Sequence, residues 1–241
     1  MVIVSLIPIP SRITALNEEK NALCAYPQNC LAGILKNIGF HCTCCAKCCT
    51  RAFNGHVFLL DREVEKARKI DLAALEPAPG PEFCDQNGTF YVSGYALRVK
   101  NDPDGSCWFL ESGRCRIYDQ RFAICRIYPY MLHREPDETG KIDWRQISGY
   151  EQHGNYNTAI PDEECQSAAR ETMDYEHAFL DHQIAFLGFM NDYFAKNGLR
   201  HVQKIYDTRV RQYRNGTPVT VMVYHYDRLE QHTIEKIPYF P

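Results

Sequence analysis

The chain has 241 residues, of which 27 are Lys or Arg and 30 are Asp or Glu, so its formal net charge is −3. Hydrophobic residues make up 45% and charged residues 24% of the chain, and these values exclude a wholly disordered protein. This net charge excludes an overall positive electrostatic field of the kind that attracts nucleic acid. The sequence also contains no run of about 18 apolar residues, the length that a membrane-spanning helix needs. The unusual number is 12 cysteines.

The compartment decides how those cysteines are interpreted. The opening residues 1–10 are apolar, but they carry no cationic segment and are interrupted by Pro8 and Pro10. This pattern predicts no secretory signal and therefore a cytoplasmic protein, in which thiols stay reduced. Twelve reduced cysteines indicate metal ligands rather than disulfides.

The first third of the chain predicts two helices around a thiol-rich loop. Apolar residues at helical spacing predict a helix over Leu31–Ile38, and Gly39 is placed to end it. Residues 40–50 follow as the thiol-rich loop. Asp61 is then a candidate N-cap for a second helix that runs to about Ile70.

The middle of the chain is less regular. Residues 76–88 are rich in Pro and Gly and predict a loop. Thr89–Val99 is rich in Tyr, Val and Phe and predicts a strand that Gly94 interrupts. Residues 108–130 alternate short apolar runs with Arg and Cys, which is typical of a metal-pinned loop with a short helix.

The last third predicts a helical support followed by a strand. Pro161 and the acidic residues after it suit a helix N-terminus, and Gly198 is a plausible end for that helix. Its aromatic residues recur at helical spacing, which indicates a core-facing stripe. A second helix is predicted over Leu199–Arg214 and a final strand over Thr217–Tyr226.

These elements predict an α+β fold built on a metal-centred, loop-rich cysteine domain. That domain is expected over residues 36–150. Residues 1–35 would pack on it as an N-terminal segment, and residues 151–241 would supply the C-terminal helical support and the final strand. The three parts could also form one continuous domain.

The most informative segment is a run of five cysteines in eight residues. Cys42, Cys45, Cys48 and Cys49 follow the pattern C-x-x-C-x-x-C-C, and Cys44 lies inside it. A C-x-x-C loop lets two thiolates reach one ion, as in zinc sites and iron–sulfur clusters. Three cysteines at successive x-x spacing suit three corners of a cubane cluster, which requires a fourth ligand from another segment.

A second group of thiols could supply that ligand: Cys107, Cys115 and Cys125. They are too far apart in sequence to form one C-x-x-C loop, but each could supply a single ligand to the site. Four arginines lie among them: Arg114, Arg116, Arg121 and Arg126. Guanidinium groups would offset the negative charge of several thiolates around one metal group and would donate hydrogen bonds to sulfur. The same arginines could instead pair with nearby carboxylates. Three tyrosines also lie near these thiols, where they could relay electrons or protons but are expected instead to pack against the site: Tyr118, Tyr128 and Tyr130.

The two groups together resemble the YkgJ-like CxxCxxCC family of zinc- or iron-chelating domains. The matching segments are Cys42-x-x-Cys45-Ala-x-Cys48-Cys49, Leu60-Asp-Arg-Glu63, Cys107-Trp-Phe-Leu110, Cys115-Arg-Ile-Tyr118 and Arg121-Phe-x-x-Cys125-Arg126-x-x-Pro129. They span roughly residues 40–130 and place seven cysteines in the family's order.

The chain departs from that pattern at three places. Ala46 stands where the family usually has Gly, Phe122 where it usually has Pro, and residues 147–149 lack the family's Cys-Pro-Gly element. Any of three other cysteines could take the place of that last element: Cys44, Cys84 and Cys165.

The resemblance implies metal binding. The family includes the cysteine domain of flagellin lysine N-methylases, which is associated with an iron–sulfur cluster and with methyl transfer from S-adenosylmethionine. That activity is not transferred to this chain, because it contains no G-x-G turn and the loop does not have the radical-enzyme spacing C-x-x-x-C-x-x-C.

Three functions therefore remain open. The first is a protein with a [4Fe–4S] cluster that serves electron transfer or the modification of a protein or small substrate. The second is a structural Zn²⁺ site that pins loops for protein binding, and the third is a metal chaperone or assembly factor. Each involves a protein partner: a redox partner or modified substrate for the cluster, a bound protein for the zinc site, and a metal acceptor for the chaperone. None implies nucleic acid or a membrane. No catalytic group can be identified from the spacing.

Overall fold

The computed structural model describes residues 7–130, 132–136, 142–146 and 150–235. Within these ranges the helices are α1 (Ile9–Ala25), α2 (Gln28–Ile38), α3 (Arg51–Asn54), α4 (Asp61–Ile70), α5 (Ala123–Ile127), α6 (Asp162–Asn197) and α7 (Gln203–Arg214). The strands are β1 (Phe58–Leu59), β2 (Leu75–Pro77), β3 (Phe83–Cys84), β4 (Phe90–Val92), β5 (Tyr95–Leu97), β6 (Leu110–Glu111), β7 (Arg114–Cys115), β8 (Leu132–Pro136), β9 (Ile142–Gln146), β10 (Val219–His225) and β11 (Arg228–Ile234).

The strands form two small sheets and two hairpins. One sheet has the order β1-β5-β2 and is antiparallel. The other has the order β11-β10-β4-β3, in which β10 runs parallel to β4 and all other pairs are antiparallel. The hairpins are β6-β7 and β8-β9. The predicted α+β class, with a C-terminal helical region that leads into a strand, is confirmed.

The helix before the thiol loop ends as the sequence predicts. α2 begins three residues earlier than predicted and ends at Ile38, and Gly39 follows with a left-handed φ of 54°. A Cβ at Gly39 would lie 2.4 Å from the carbonyl oxygen of Thr158. Both the backbone conformation and this close approach therefore require glycine here.

The start of α4 differs by one residue from the prediction. Leu60 is the N-cap, and Asp61 is the first helical residue rather than the cap. The Leu60 N–H donates to the Glu63 carboxylate over 3.4 Å, so the side chain of the third helical residue satisfies that amide. The Asp61 carboxylate instead accepts the backbone N–H of Tyr226, at 3.2 Å.

Other boundaries shift where tertiary pairing overrides local pattern. The strand predicted over 89–99 is two strands, β4 and β5, which lie in different sheets on either side of Gly94. The second C-terminal helix, α7, begins at Gln203 instead of Leu199. The predicted final strand is β10, and it pairs along its whole length with β11, which was not predicted.

The described residues divide into two compact units. The sheet unit comprises 7–20, Phe58–Arg98 and 179–235, and the cysteine unit comprises Asn21–Val57 and the described part of 99–178. In the sheet unit, residues of α6 pack with residues of β3, β4 and β10 to form a core in which every side chain is under a tenth exposed: Phe83, Tyr91, Phe186, Leu187, Met190, Phe194 and Tyr224. The prediction that the aromatic stripe of the long helix is core is confirmed. None of the helices in the described ranges is long and apolar enough to cross a membrane.

Candidate metal centre

The thiol-rich loop is compact and partly left-handed. Its last residues, Lys47–Cys49, form a single 3₁₀ turn that leads into α3. Cys44 and Ala46 have φ values of 54° and 62°, a region in which a side chain is strained. The backbone N–H of Cys44 donates to the sulfur of Cys42 over 3.4 Å, so an amide inside the loop already faces a thiol.

Backbone hydrogen bonds join this loop to a segment about 55 residues later. The N–H of Cys107 donates to the carbonyl of Cys49 over 2.7 Å, and Thr50 forms a β-bridge with Ser106. The N–H of Arg51 donates to Gly105 over 3.0 Å. These contacts hold the first and second groups of cysteines side by side.

A short hairpin carries the next cysteine to the same place. In the β6-β7 pair, Cys115 lies opposite Leu110, and the Arg116 N–H donates to the carbonyl of Phe109 over 2.9 Å. The Leu110 N–H donates in turn to Cys107 over 2.9 Å. The hairpin thus folds Cys115 back toward Cys107.

These thiols lie close enough to raise one another's pKa. The Cys48 thiol donates a hydrogen bond to Cys49, and this bond, burial and the negative charge of Cys49 raise the pKa of Cys48 far above its usual range. Burial raises the pKa of Cys107 to about 11, and the charges of Cys115 and Cys48 add to that effect. Burial also raises the pKa of Cys115, with a contribution from Cys48. Four thiols from two segments therefore share one electrostatic environment.

Two of the four predicted arginines act on these thiols. Arg121 lowers the pKa of Cys48 and of Cys115, and Arg116 lowers that of Cys115, against the larger effect of burial. The Arg116 Nε also lies 3.5 Å from the Glu111 Oε1. Arg116 therefore both acts on a thiol and pairs with a carboxylate, the two roles that the sequence left open.

The other two arginines have different surroundings. The Arg126 guanidinium forms an ion pair with Glu171 and donates to the backbone carbonyl of Arg121 over 2.7 Å. Arg114 is exposed on β7. Of the four arginines, Arg121 and Arg116 therefore offset charge at the coupled thiols, and Lys100 does so at Cys107.

Tyr118 contacts the first cysteines of the loop. Its ring is 38% exposed, and the Arg121 guanidinium lies 3.8 Å from the ring centroid. Burial of the hydroxyl raises the pKa of Tyr118 to about 12, and hydrogen bonds that it donates to Cys42 and Cys44 add to that rise. Tyr118 thus links the second segment to the start of the loop, while Cys45 is exposed.

A second tyrosine approaches the thiols from the end of α5, the helix that carries Cys125. Burial raises the pKa of Tyr128, and the charges of Cys48, Tyr156 and Cys45 add to it. The Tyr128 hydroxyl is buried and has no hydrogen-bond partner among the residues that the structure describes.

The three additional candidate cysteines are placed differently. Cys44 lies in the loop itself. Cys84 belongs to the sheet unit, where its thiol donates to the Asp85 carbonyl over 3.7 Å and burial raises its pKa to about 12. Cys165 is buried at the start of α6, where burial and then the charge of Asp162 raise its pKa. Residues 147–149, the site of the missing family element, lie outside the described residues.

The donor set fits a metal group bound by thiolates. Within the described part of the chain, no three His, Cys, Asp or Glu side chains are already arranged as a metal-binding shell. The thiols nevertheless lie close enough that a negative charge on one raises the pKa of another, and a cation that replaces their protons offsets that charge. The Tyr128 hydroxyl also fits: it is buried, it lacks a hydrogen-bond partner among the described residues, and its pKa is raised by burial and then by charges that include those of Cys48 and Cys45.

A comparison with protein families gives the same assignment. The chain matches the family model CxxCxxCC, described as a zinc- or iron-chelating domain, over residues 41–166, just over half of its length. The chain belongs to this family. No curated protein and no solved structure matches the chain significantly. The family match confirms the resemblance and supports metal binding, and it does not distinguish zinc from iron.

The sequence favours packing over an electron or proton relay for Tyr118 and Tyr128, and it does not predict the hydrogen bonds that Tyr118 donates to Cys42 and Cys44. Their spacing is the available signal, because each lies three residues after a motif cysteine, Cys115 or Cys125.

Proposed function

We propose that the chain binds an iron–sulfur cluster of the [4Fe–4S] type through the thiol-rich loop and one or more thiols of the second segment. The observation that carries this proposal is a backbone hydrogen bond from the Cys107 N–H to the Cys49 carbonyl, 2.7 Å long, which holds the second segment against the thiol-rich loop. The raised pKa values of Cys48, Cys107 and Cys115 agree with that closeness. Thiolates are the ligands of such clusters, and the motif has more of them than the four that one zinc ion needs.

The proposed ligands come from both segments. Cys42, Cys45 and Cys48 would hold three positions, and a thiol of the second segment would hold the fourth: Cys107, Cys115 or Cys125. Arg121 offsets the thiolate charge, and the Cys44 amide and the Tyr118 hydroxyl donate hydrogen bonds to Cys42. When bound, the cluster supplies one-electron chemistry, whose potential depends on charge, exposure and hydrogen bonds to sulfur.

The surroundings suit a role that involves a partner. Cys44, Cys45 and the ring of Tyr118 are exposed, so part of the site is open to a second molecule. We infer electron transfer to a protein partner, or modification of a protein or small substrate, in a reducing compartment such as the cytoplasm. All twelve cysteines are free thiols, in agreement with a reducing compartment.

A structural zinc site is the second candidate. The coupled thiols Cys48, Cys49, Cys107 and Cys115 number four, which is the complement of a closed tetrahedral zinc shell. Such a site would pin the loop to the second segment and would have no redox activity.

Anaerobic purification followed by metal and acid-labile sulfide analysis separates the two. The cluster predicts iron and sulfide in equal amounts, near four of each per chain, with a broad visible absorption that bleaches on reduction. Stoichiometric zinc in a colourless protein would contradict the cluster and support the structural site. A protein that contains neither metal, and takes up neither on reconstitution, would contradict both.

A further inference from the structure

Contacts of its ring with other aromatic side chains hold the Tyr128 side chain in place. The ring packs edge-on against Phe40, with centroids 6.4 Å apart, and is tilted against His153 at 5.3 Å. Tyr128 follows α5 directly as its C-cap residue, three positions after Cys125, and Phe40 lies two positions before Cys42. The hydroxyl position is therefore set by the same two segments that carry the thiols.

The hydrogen bonding of the Tyr128 hydroxyl is incomplete. Among the described residues, the Tyr128 hydroxyl oxygen is buried and has no hydrogen-bond partner. A buried hydroxyl without a partner lowers the stability of a protein, and it is retained where something else supplies an acceptor. The nearby charges that reach this hydroxyl include those of Cys48 and Cys45. Sulfur that carries negative charge is an acceptor of the required kind.

We propose that Tyr128 is a positioning residue of the metal centre and that its hydroxyl donates a hydrogen bond to a sulfur ligand of the bound metal group. This inference rests on the proposed metal site but does not depend on whether the metal is iron or zinc. The bond would stabilise the thiolate form next to the metal. Hydrogen bonds from groups outside the ligand shell raise metal affinity in this way.

Tyr130 provides a matched control two residues later. Its ring packs edge-on against the same Phe40, with centroids 6.4 Å apart. Its hydroxyl already has a partner, because it accepts the backbone N–H of Phe40. Removing this hydroxyl breaks a hydrogen bond in the metal-free protein, whereas removing that of Tyr128 breaks none that the described residues make.

Cobalt(II) is a suitable probe, because thiolate-to-cobalt charge-transfer bands report on sulfur ligands. The full chain, prepared metal-free under anaerobic conditions, would be titrated with Co²⁺ as wild type, Tyr128→Phe and Tyr130→Phe. For Tyr128→Phe we expect about a tenfold lower Co²⁺ affinity, a shifted charge-transfer band, and a metal-free stability equal to or above that of wild type. For Tyr130→Phe we expect lower metal-free stability with unchanged affinity and an unmoved band.

Three results would overturn the inference: wild-type affinity with an unmoved band in Tyr128→Phe, lower metal-free stability of that variant with unchanged cobalt binding, or no thiolate–cobalt band in the wild type. Iron and sulfide analysis of the wild type reports separately on the cluster. A chain that lacks iron and sulfide, but loses Co²⁺ affinity on Tyr128→Phe, would reject the cluster and retain the role of Tyr128.

Discussion

In the sheet unit, seven large side chains, of which Phe186 is one, are each less than a tenth exposed. In the cysteine unit, none of the seven motif cysteines is fully buried, and the described residues form two short hairpins and two 3₁₀ turns rather than a continuous sheet. The first unit gains its order from apolar burial, which needs no ligand. The second places acidic thiols together at raised pKa, an arrangement that stabilises little until a metal replaces their protons.

The comparison predicts that a ligand change in the cysteine unit has the largest effect on metal content. Cys48→Ser removes the thiol that couples to the most others. We expect metal affinity to fall by more than about 100-fold, since an outer partner alone contributes about 10–100-fold. Anaerobic metal analysis and competition with a chelator measure this. Cys30→Ser, an exposed thiol outside the motif, is the control, and equal metal loss in both variants would argue against the assignment.

In the sheet unit the largest effect should come from packing. Phe186 is fully buried, and its ring lies 6.0 Å from that of Phe83 and 5.6 Å from that of Tyr224. Phe186→Ala should lower the free energy of unfolding by about 3–5 kcal/mol, because it removes apolar contact and leaves a cavity. Denaturant titration checks the value. Phe189→Ala, a half-buried ring on the same helix, should cost clearly less, and an equal cost would contradict the proposed packing.

The next largest effect on stability is expected from the charge of the Glu230 carboxylate. Although burial opposes it, hydrogen bonds from Tyr95 and Arg68, both 2.6 Å long, hold the pKa of Glu230 at about 2, below its usual 4.5. A carboxyl with a lowered folded-state pKa stabilises the fold above pH 4.5, and this contribution is lost as the pH falls toward 2.

Glu230→Gln should therefore cost about 2–3 kcal/mol at pH 7. The variant should also lose stability less steeply than wild type between pH 4.5 and pH 2. Asp181→Asn is the control, because Asp181 forms an exposed ion pair with Lys20 in the same unit and should change little. Parallel pH profiles for wild type and Glu230→Gln would refute this explanation of the lowered pKa.

The smallest expected effect lies in the thiol loop. Ala46 has a φ of 62°, where an alanine is strained and a glycine is not, and this explains why the family usually has Gly there. Ala46→Gly should stabilise the protein by about 0.5–1 kcal/mol. Thermal melting of the metal-bound protein tests it. Ala52→Gly, within α3, should have the opposite sign.

Local patterns in the sequence predicted many of the elements, and failures occurred where tertiary contacts decide. Gly39 and the long helix after Pro161 follow from local preference. α1 was missed because only Leu23 is fully buried along it, so it shows little apolar periodicity. β11 was missed because it is a largely polar edge strand, which β10 orders through its backbone.

For the candidate site, too, the sequence predicted the local features and not the long-range contacts. Spacing identified the cysteines, because ligand geometry constrains neighbours in sequence. It could not show that Cys49 and Cys107 are joined by a backbone hydrogen bond, or that Arg126 pairs with Glu171 instead of a thiol. Those contacts join residues more than 40 positions apart and depend on the folded chain.

Hydrogen exchange of the anaerobically prepared chain, with its metal and after chelation, tests most directly whether a metal orders the cysteine unit. We predict that amides of residues 42–54 and 99–116 lose protection when the metal is removed, while those of β4 and β10 keep theirs. Unchanged protection in residues 42–54 and 99–116 after complete metal removal would contradict the account, and so would an equal loss of protection in β4 and β10.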